Sequence, residues 1–105
     1  MSQASVSKVL FKKVAFIGLG LIGSSLARVI VAEQLASEIV ASTRSKKTLE
    51  DAKVLGLIQQ GYANPEEAVQ GADLIVLALP VRATQKVLEQ IKPYLADNVI
   101  ITDVG

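Results

Sequence analysis

Residues 13–28 read Lys-Val-Ala-Phe-Ile-Gly-Leu-Gly-Leu-Ile-Gly-Ser-Ser-Leu-Ala-Arg, and no other stretch limits the fold as tightly. A short apolar run, residues 14–17, enters three glycines at Gly18, Gly20 and Gly23. The chain leaves them as a helical pattern that places Ile22, Leu26, Ala27 and Ile30 on one face. Strand, tight turn and helix, with Gly-x-Gly-x-x-Gly at the joint, is the context that a dinucleotide site requires. Each glycine has a separate task. Gly18 permits the sharp turn out of the strand. Gly20, without a Cβ, lets a pyrophosphate approach the backbone, and Gly23 lets the helix lie close to the sheet. The N–H groups of Leu21, Ile22 and Gly23 have no partner within the helix, and the positive end of its dipole favours an anion there. Glycines alone would serve any tight turn equally well. The legible strand before them and helix after them decide for a ligand, with Leu19 held inside the same turn.

The remaining chain alternates strand and helix. Residues 38–43 form a second strand. Ser45 caps a second helix that runs to about Leu55, with Leu49, Ala52 and Leu55 inward and Gly56 as its stop. Residues 57–63 carry the weakest signal and hold a short third strand around 61–63. Asn64-Pro65-Glu66-Glu67 is a helix start, with Asn as the cap, Pro in the first position and Glu three residues after the cap. That brief helix ends near Gly71. Residues 73–79 are the most apolar run and read as a central strand, closed by Pro80, which offers no N–H to a ladder. A helix follows over 81–91 with Val87, Leu88 and Ile91 inward, and residues 99–103 form the last strand.

Such alternation implies parallel pairing through right-handed crossovers. The expected fold class is α/β: a Rossmann-type doubly wound parallel sheet in three layers, α/β/α, with strand order 3-2-1-4-5. A ligand then sits at the carboxyl ends of the strands, where the order reverses. That edge gathers Gly18 to Gly23, Ser42 to Ser45, Leu79 to Val81 and Asp103 to Gly105. The 105 residues suffice for one domain with one core. Residues 1–12 are expected to form a flexible leader, with Phe11 closing the bottom of the sheet, and residues 13–105 the NAD(P)-binding domain. Because the chain stops where the loop after the last strand begins, an isolated or truncated domain is expected.

Composition removes several chemistries. The chain has no Cys and no His, so disulfides, thiolate chemistry, zinc sites of the usual ligand types and imidazole acid–base catalysis are excluded from these residues. A net charge of +1 gives no field for nucleic acid or an anionic membrane. The apolar run at residues 9–11 is too short for a signal sequence or a membrane span, and a cytoplasmic location is expected.

The identity of the dinucleotide turns on the end of the second strand. NAD sites of this type carry an acidic residue about 20 residues beyond the glycines, which binds the ribose 2′-OH. Here the chain has Ser42-Thr43-Arg44-Ser45-Lys46-Lys47, without a carboxylate. The same absence disfavours FAD and adenosylmethionine. Arg44 suits a 2′-phosphate as a planar bidentate donor, with Ser42, Thr43 and Ser45 adding hydroxyls. Lys46 and Lys47 fall in the first helical turn, where a cation opposes the helix dipole by about 0.3–1 kcal/mol. An anion held nearby would offset this, so NADP(H) is expected rather than NAD(H).

Three segments together carry a resemblance: Gly-Leu-Gly-Leu-Ile-Gly-Ser-Ser-Leu-Ala, Ala-Asp-Leu-Ile-Val-Leu-Ala-Leu-Pro-Val and Thr-Asp-Val-Gly. Over residues 13–105 the chain resembles the N-terminal domain of prephenate/arogenate dehydrogenases, which oxidise and decarboxylate their substrate in tyrosine biosynthesis. The resemblance implies a nicotinamide dinucleotide held across Gly18, Leu19, Gly20, Leu21, Ile22 and Gly23, the strand end at Ser42, Thr43, Arg44 and Ser45, and Leu79, Pro80 and Val81. It places Ser25 where the family has a serine that can bond a phosphate oxygen; back-bonding to helix carbonyls is the other role open to it. Thr43 stands where NAD-using members carry Asp. The family's substrate-contacting Ser and His, its substrate-binding arginines and its dimer interface have no counterpart here, so no catalytic residue is assigned. Asp103 is expected to position the loop that follows it. The small-molecule substrate is expected in a C-terminal domain absent from this chain, and a homodimer in the full-length protein. A β-hydroxyacid dehydrogenase or pyrroline-carboxylate reductase relative, and a noncatalytic nucleotide-sensing domain, remain as other readings.

Overall fold

The computed structural model describes residues 9–104. The expected leader lies outside the described residues up to Lys8, as does Gly105 at the other end. The chain runs β1 (Phe11–Ile17), α1 (Gly20–Ala32), β2 (Ala36–Ser42), α2 (Lys46–Val54), β3 (Gln60–Tyr62), α3 (Pro65–Ala68), β4 (Leu74–Leu77), α4 (Val81–Ile91), a 3-10 turn (Lys92–Tyr94) and β5 (Ile100–Asp103). The five strands are parallel and lie in the order 3-2-1-4-5. This is the doubly wound topology expected from the alternation of elements.

Aliphatic runs buried on both faces explain the parallel sheet. Along β1, Val14 and Phe16 face one layer with Ile39, Ala41, Leu74 and Val76, packed under Ala27 and Ile30 of α1 and Ala52 of α2. Ala15 and Ile17 face the other layer with Val40, Ile75 and Leu77, packed under α3 and Ile91 of α4. Successive residues point to opposite faces, so one continuous apolar run feeds two cores.

Several boundaries differ from the sequence reading. β1 begins at Phe11, which pairs with Ala36 and packs against the first core layer. β4 ends at Leu77, two residues short of the expected Leu79, although Ala78 N–H still donates to the Ile17 carbonyl at 2.9 Å. Ile22, expected inward, is 60% exposed, because the buried stripe of α1 is Gly23, Ala27 and Ile30. Ile22 lies about 100° round the helix from that stripe. Leu55, also expected inward, is 59% exposed. It is the C-cap of α2; the chain turns at Gly56, and Leu57 and Ile58 enter the core instead. Asn64 stands at the N-cap of α3 as expected, but its side chain makes no capping bond.

α1 ends in a two-bond stop. Leu35 N–H donates to the Ile30 carbonyl at 3.0 Å and Gln34 N–H to the Val31 carbonyl at 3.1 Å. This motif needs a left-handed residue, and Gln34 supplies it at φ 54°. A side chain in that region is strained by about 1–2 kcal/mol. Gln34→Gly is therefore expected to stabilise the fold by about 1 kcal/mol, after allowance for the freer unfolded chain. Urea unfolding monitored by circular dichroism would show the midpoint rise.

Candidate functional site

β1, β2, β4 and β5 end together, and the residues that follow β1 and β5 continue the ladder by one bond. Gly18 N–H donates to the Ser42 carbonyl at 2.8 Å, and Val104 N–H to the Leu77 carbonyl at 2.9 Å. These bonds draw the glycine turn, the β2 end and the β4 loop to one edge. Gly18 has φ 78°, and a Cβ there would run into the Ala78 carbonyl oxygen and lie 2.9 Å from Leu79 Cδ2. A Cβ on Gly23 would lie 3.0 Å from that of Ala78, so α1 sits as close to the β4 loop as a glycine allows. Gly20 differs from both. It has φ 54°, yet a Cβ would meet nothing within 4 Å. Apart from its chain neighbours and the first turn of α1, the described residues leave the space beside it open.

α1 starts at Gly20, and Leu19 at its N-cap gives no side-chain bond. No acidic residue lies in its first turn. The leading N–H groups and the positive end of the dipole are therefore left to whatever anion occupies this edge. The Leu19 side chain is buried in the core and holds the turn down.

Two clefts flank the turn. One, of about 380 Å³, is walled by residues 19–23 with Ala78, Leu79, Pro80 and Val104. Leu21 and Ile22 are exposed over it, and its lining is almost wholly apolar. The other, of about 550 Å³, lies between the β2 end and α4, with Gly18, Ser42, Thr43, Arg44, Asn64 and Gln90 among its lining residues. Leu79 and Pro80 border both clefts. Ser25 and Val81 are exposed and line neither.

At the β2 end, Ser42 is buried and Arg44 exposed. The neighbouring hydroxyls serve the backbone. Thr43 Oγ1 accepts from Ser45 N–H at 2.9 Å and donates to the Ser45 carbonyl at 3.0 Å. Ser45 Oγ accepts from Thr48 N–H at 3.2 Å and caps α2. These bonds brace a turn from which Arg44 projects. Among the described residues Arg44 has no hydrogen-bond or ion-pair partner, and none of the residues lining its cleft is acidic. Lys46, Glu50 and Lys53 share a neighbouring groove with Arg44, whereas Lys47 pairs with Asp51 at 3.0 Å. That pair offsets part of the cost of Lys47 in the first turn.

The wall formed by Asn64, Pro65, Ala83, Val87 and Gln90 was not assigned from sequence. The signal for it was present: Ala83, Val87 and Gln90 recur at helical spacing on the helix after β4, which must border a crevice at the carboxyl edge. Behind this wall, Gln90 Nε2 donates to Glu66 Oε2 at 2.8 Å. That bond, aided by the residue's own backbone N–H, holds the Glu66 carboxyl below its ordinary range against an opposing desolvation effect. A carboxyl whose pKa is lowered by folding contributes stability above the unfolded pKa and loses it as pH falls through the folded one. Gln90→Ala should therefore flatten the loss of stability between about pH 6 and pH 3, the range in which carboxylates titrate. Urea midpoints measured across that range test this.

Among the described residues no three His, Cys, Asp or Glu side chains cluster to hold a metal ion. No helix among them is long and apolar enough to cross a membrane. The arrangement is an anion-accepting turn between an apolar cleft and a cleft with a free guanidinium. It suits a long, doubly anionic ligand with flat ends.

The sequence profile of the family described as NADP oxidoreductase, coenzyme F420-dependent, matches residues 13–104. The chain belongs to this family. Its curated relatives include a cyclohexadienyl dehydrogenase of Zymomonas mobilis, 39% identical over 95 residues and covering 90% of this chain but 32% of the relative. A prephenate dehydrogenase of Lactococcus lactis is 40% identical over 95 residues, with 90% of this chain and 26% of the relative covered. Among solved structures, the arogenate dehydrogenase of Synechocystis superposes with a TM-score of 0.78 at 30% identity, over 89% of this chain and 32% of that one. The resemblance carried by the three sequence segments is thus borne out. The chain spans about a third or less of the length of these relatives. Within this oxidoreductase family it is a nucleotide-binding domain, and the cofactor class is a nicotinamide dinucleotide.

Proposed function

We propose that the chain is the NADP(H)-binding portion of a dehydrogenase that oxidises a prephenate- or arogenate-like substrate. The observation that carries the choice of cofactor is Arg44, exposed and unpaired among the described residues, beside a cleft whose lining contains no carboxylate. A ribose 2′-OH alone is best met by an acidic acceptor, which this strand end lacks; a 2′-phosphate is best met by a planar cationic fork.

The residues fit the ligand as follows. The first-turn N–H groups of α1 receive the pyrophosphate, and the empty space beside Gly20 admits it. Arg44 takes the 2′-phosphate, with Lys46 and Lys53 adding positive charge in the adjoining groove. The apolar cleft at Leu21, Ile22, Pro80 and Val104 receives the nicotinamide and keeps water from its face. When bound, the dinucleotide supplies a hydride acceptor. With no His in the chain, the group that takes the substrate's hydroxyl proton, and the pocket that holds the substrate, belong to the length of the relatives that this chain does not span.

Fluorescence titration with NADPH and NADH at one fixed salt concentration tests the cofactor assignment. NADPH should bind at least about tenfold more tightly, as the charge-assisted contacts to one further phosphate are worth about 1.5–3 kcal/mol. Equal affinities would refute the preference. The substrate assignment is tested by NADP⁺ reduction in the full-length protein with prephenate and with arogenate, and turnover of neither would remove it.

A further inference from the structure

The cleft that holds Arg44 is also lined by Asn64, Pro65, Ala83, Val87 and Gln90. Three of these are apolar, and two carry primary amides. Both amides donate to carboxylates of α3, the Gln90 bond short and the Asn64 contact long. Gln90 Nε2 donates to Glu66 Oε2 at 2.8 Å, and Asn64 Nδ2 donates to Glu67 Oε1 at 3.4 Å. An ionised carboxylate only accepts hydrogen bonds, so each amide must turn its nitrogen toward α3. The amide oxygens are then the ends left for the cleft. Asn64 stands at the N-cap of α3, yet its side chain does not cap the helix. The helix start leaves this amide unspent.

An apolar slot with two outward acceptors, sharing a cleft with an unpaired guanidinium, matches a flat heteroaromatic ring that bears an amino group and is tethered to a phosphate. We propose that Asn64 and Gln90 read the exocyclic amine of the adenine base, and that Glu66 is a positioning residue that fixes which way the Gln90 amide faces. The proposal rests on the dinucleotide reading above and adds to it a base specificity. Hypoxanthine in place of adenine presents a carbonyl where the amine stood, and acceptor would then face acceptor. A site built to hydrogen-bond a ligand group rejects the analogue that lacks it, because its acceptors are then left facing another acceptor.

Titrations with NADPH and with its hypoxanthine analogue, deamino-NADPH, decide the matter. The unaltered protein should favour NADPH by about tenfold or more, since both contacts to the amine are lost and two acceptors face a third. Gln90→Met keeps the length of the side chain without its polar end and should bring the ratio toward unity. Glu66→Gln can donate as well as accept, so the Gln90 amide is free to turn. Affinity for the analogue should then rise while that for NADPH falls, a crossing that mere loosening of α3 would not produce. A ratio near unity in the unaltered protein, or one unchanged in Glu66→Gln, would overturn the proposal while tight NADPH binding left the cofactor reading in place. Failure of both ligands to bind would overturn that reading and this one with it.

Discussion

Arg44→Asp should weaken NADPH binding by about a hundredfold to a thousandfold while leaving NADH binding within a few-fold of its original value. The guanidinium sits beside a cleft lined by no acidic side chain and has no partner among the described residues, so its removal leaves no buried group stranded there. The loss is therefore read on the ligand. Removing a charge-assisted fork costs about 1.5–3 kcal/mol, and an aspartate in its place adds repulsion toward the phosphate. NADH carries no 2′-phosphate for the aspartate to repel, so its affinity changes little. In the variant the Thr43 hydroxyl remains bonded to the Ser45 backbone and the Ser45 hydroxyl to Thr48 N–H of α2, which keeps the turn in shape. Parallel titrations with both cofactors give the result directly; equal losses for the two would show that Arg44 faces something other than a 2′-phosphate.

Gly20→Val should abolish dinucleotide binding, with affinity for both NADPH and NADH reduced more than about a hundredfold, or about 2.7 kcal/mol. The expected loss comes from space and not from collapse of the fold. A Cβ at this position meets no protein atom within 4 Å, so the added side chain stands in the volume assigned to the pyrophosphate. Backbone strain at φ 54° adds a cost to folding, larger for a β-branched residue than for alanine. Gly20→Ala separates the two effects. It should cost about 1–2 kcal/mol of stability yet still lose most of the affinity, and calorimetry alongside titration measures both. Retained affinity in the folded Gly20→Ala protein would place the pyrophosphate elsewhere. Gly18 is unsuited to this test, because its Cβ would strike the Ala78 carbonyl and destabilise the sheet edge itself.

What was legible in the chain and what was not divide along physical lines. β1, β2 and β4 were visible because parallel strands buried on both faces must be continuously apolar, and runs such as Val14 to Ile17 and Leu74 to Leu77 have few alternatives. α4 was read to the residue, from Pro80 before it to Pro93 after it. The strand order follows from handed crossovers, which alone carry Gly18, Ser42 and Leu79 to one edge. Local strength without direction produced the errors. Ile22 and Leu55 satisfy a helical stripe on paper but sit just off the buried one, because Gly23 must face Ala78 and the α2 stop sends Leu57 and Ile58 inward in place of Leu55.

The order of residues alone determined that this chain makes a doubly wound parallel sheet with a glycine turn after its first strand, and that the end of its second strand carries Thr43 and Arg44 and no carboxylate. Periodicity, glycine spacing and the sign of a side chain are local properties, and they survive in a one-dimensional record. Tertiary structure decided which of those groups remain free. It turned the Thr43 and Ser45 hydroxyls to the backbone, paired Lys47 with Asp51, left Arg44 alone, and set Gln90 against Glu66 across 24 residues of chain. Availability for a ligand is what remains after neighbours distant in sequence have taken their hydrogen bonds, and only the folded chain brings those neighbours together.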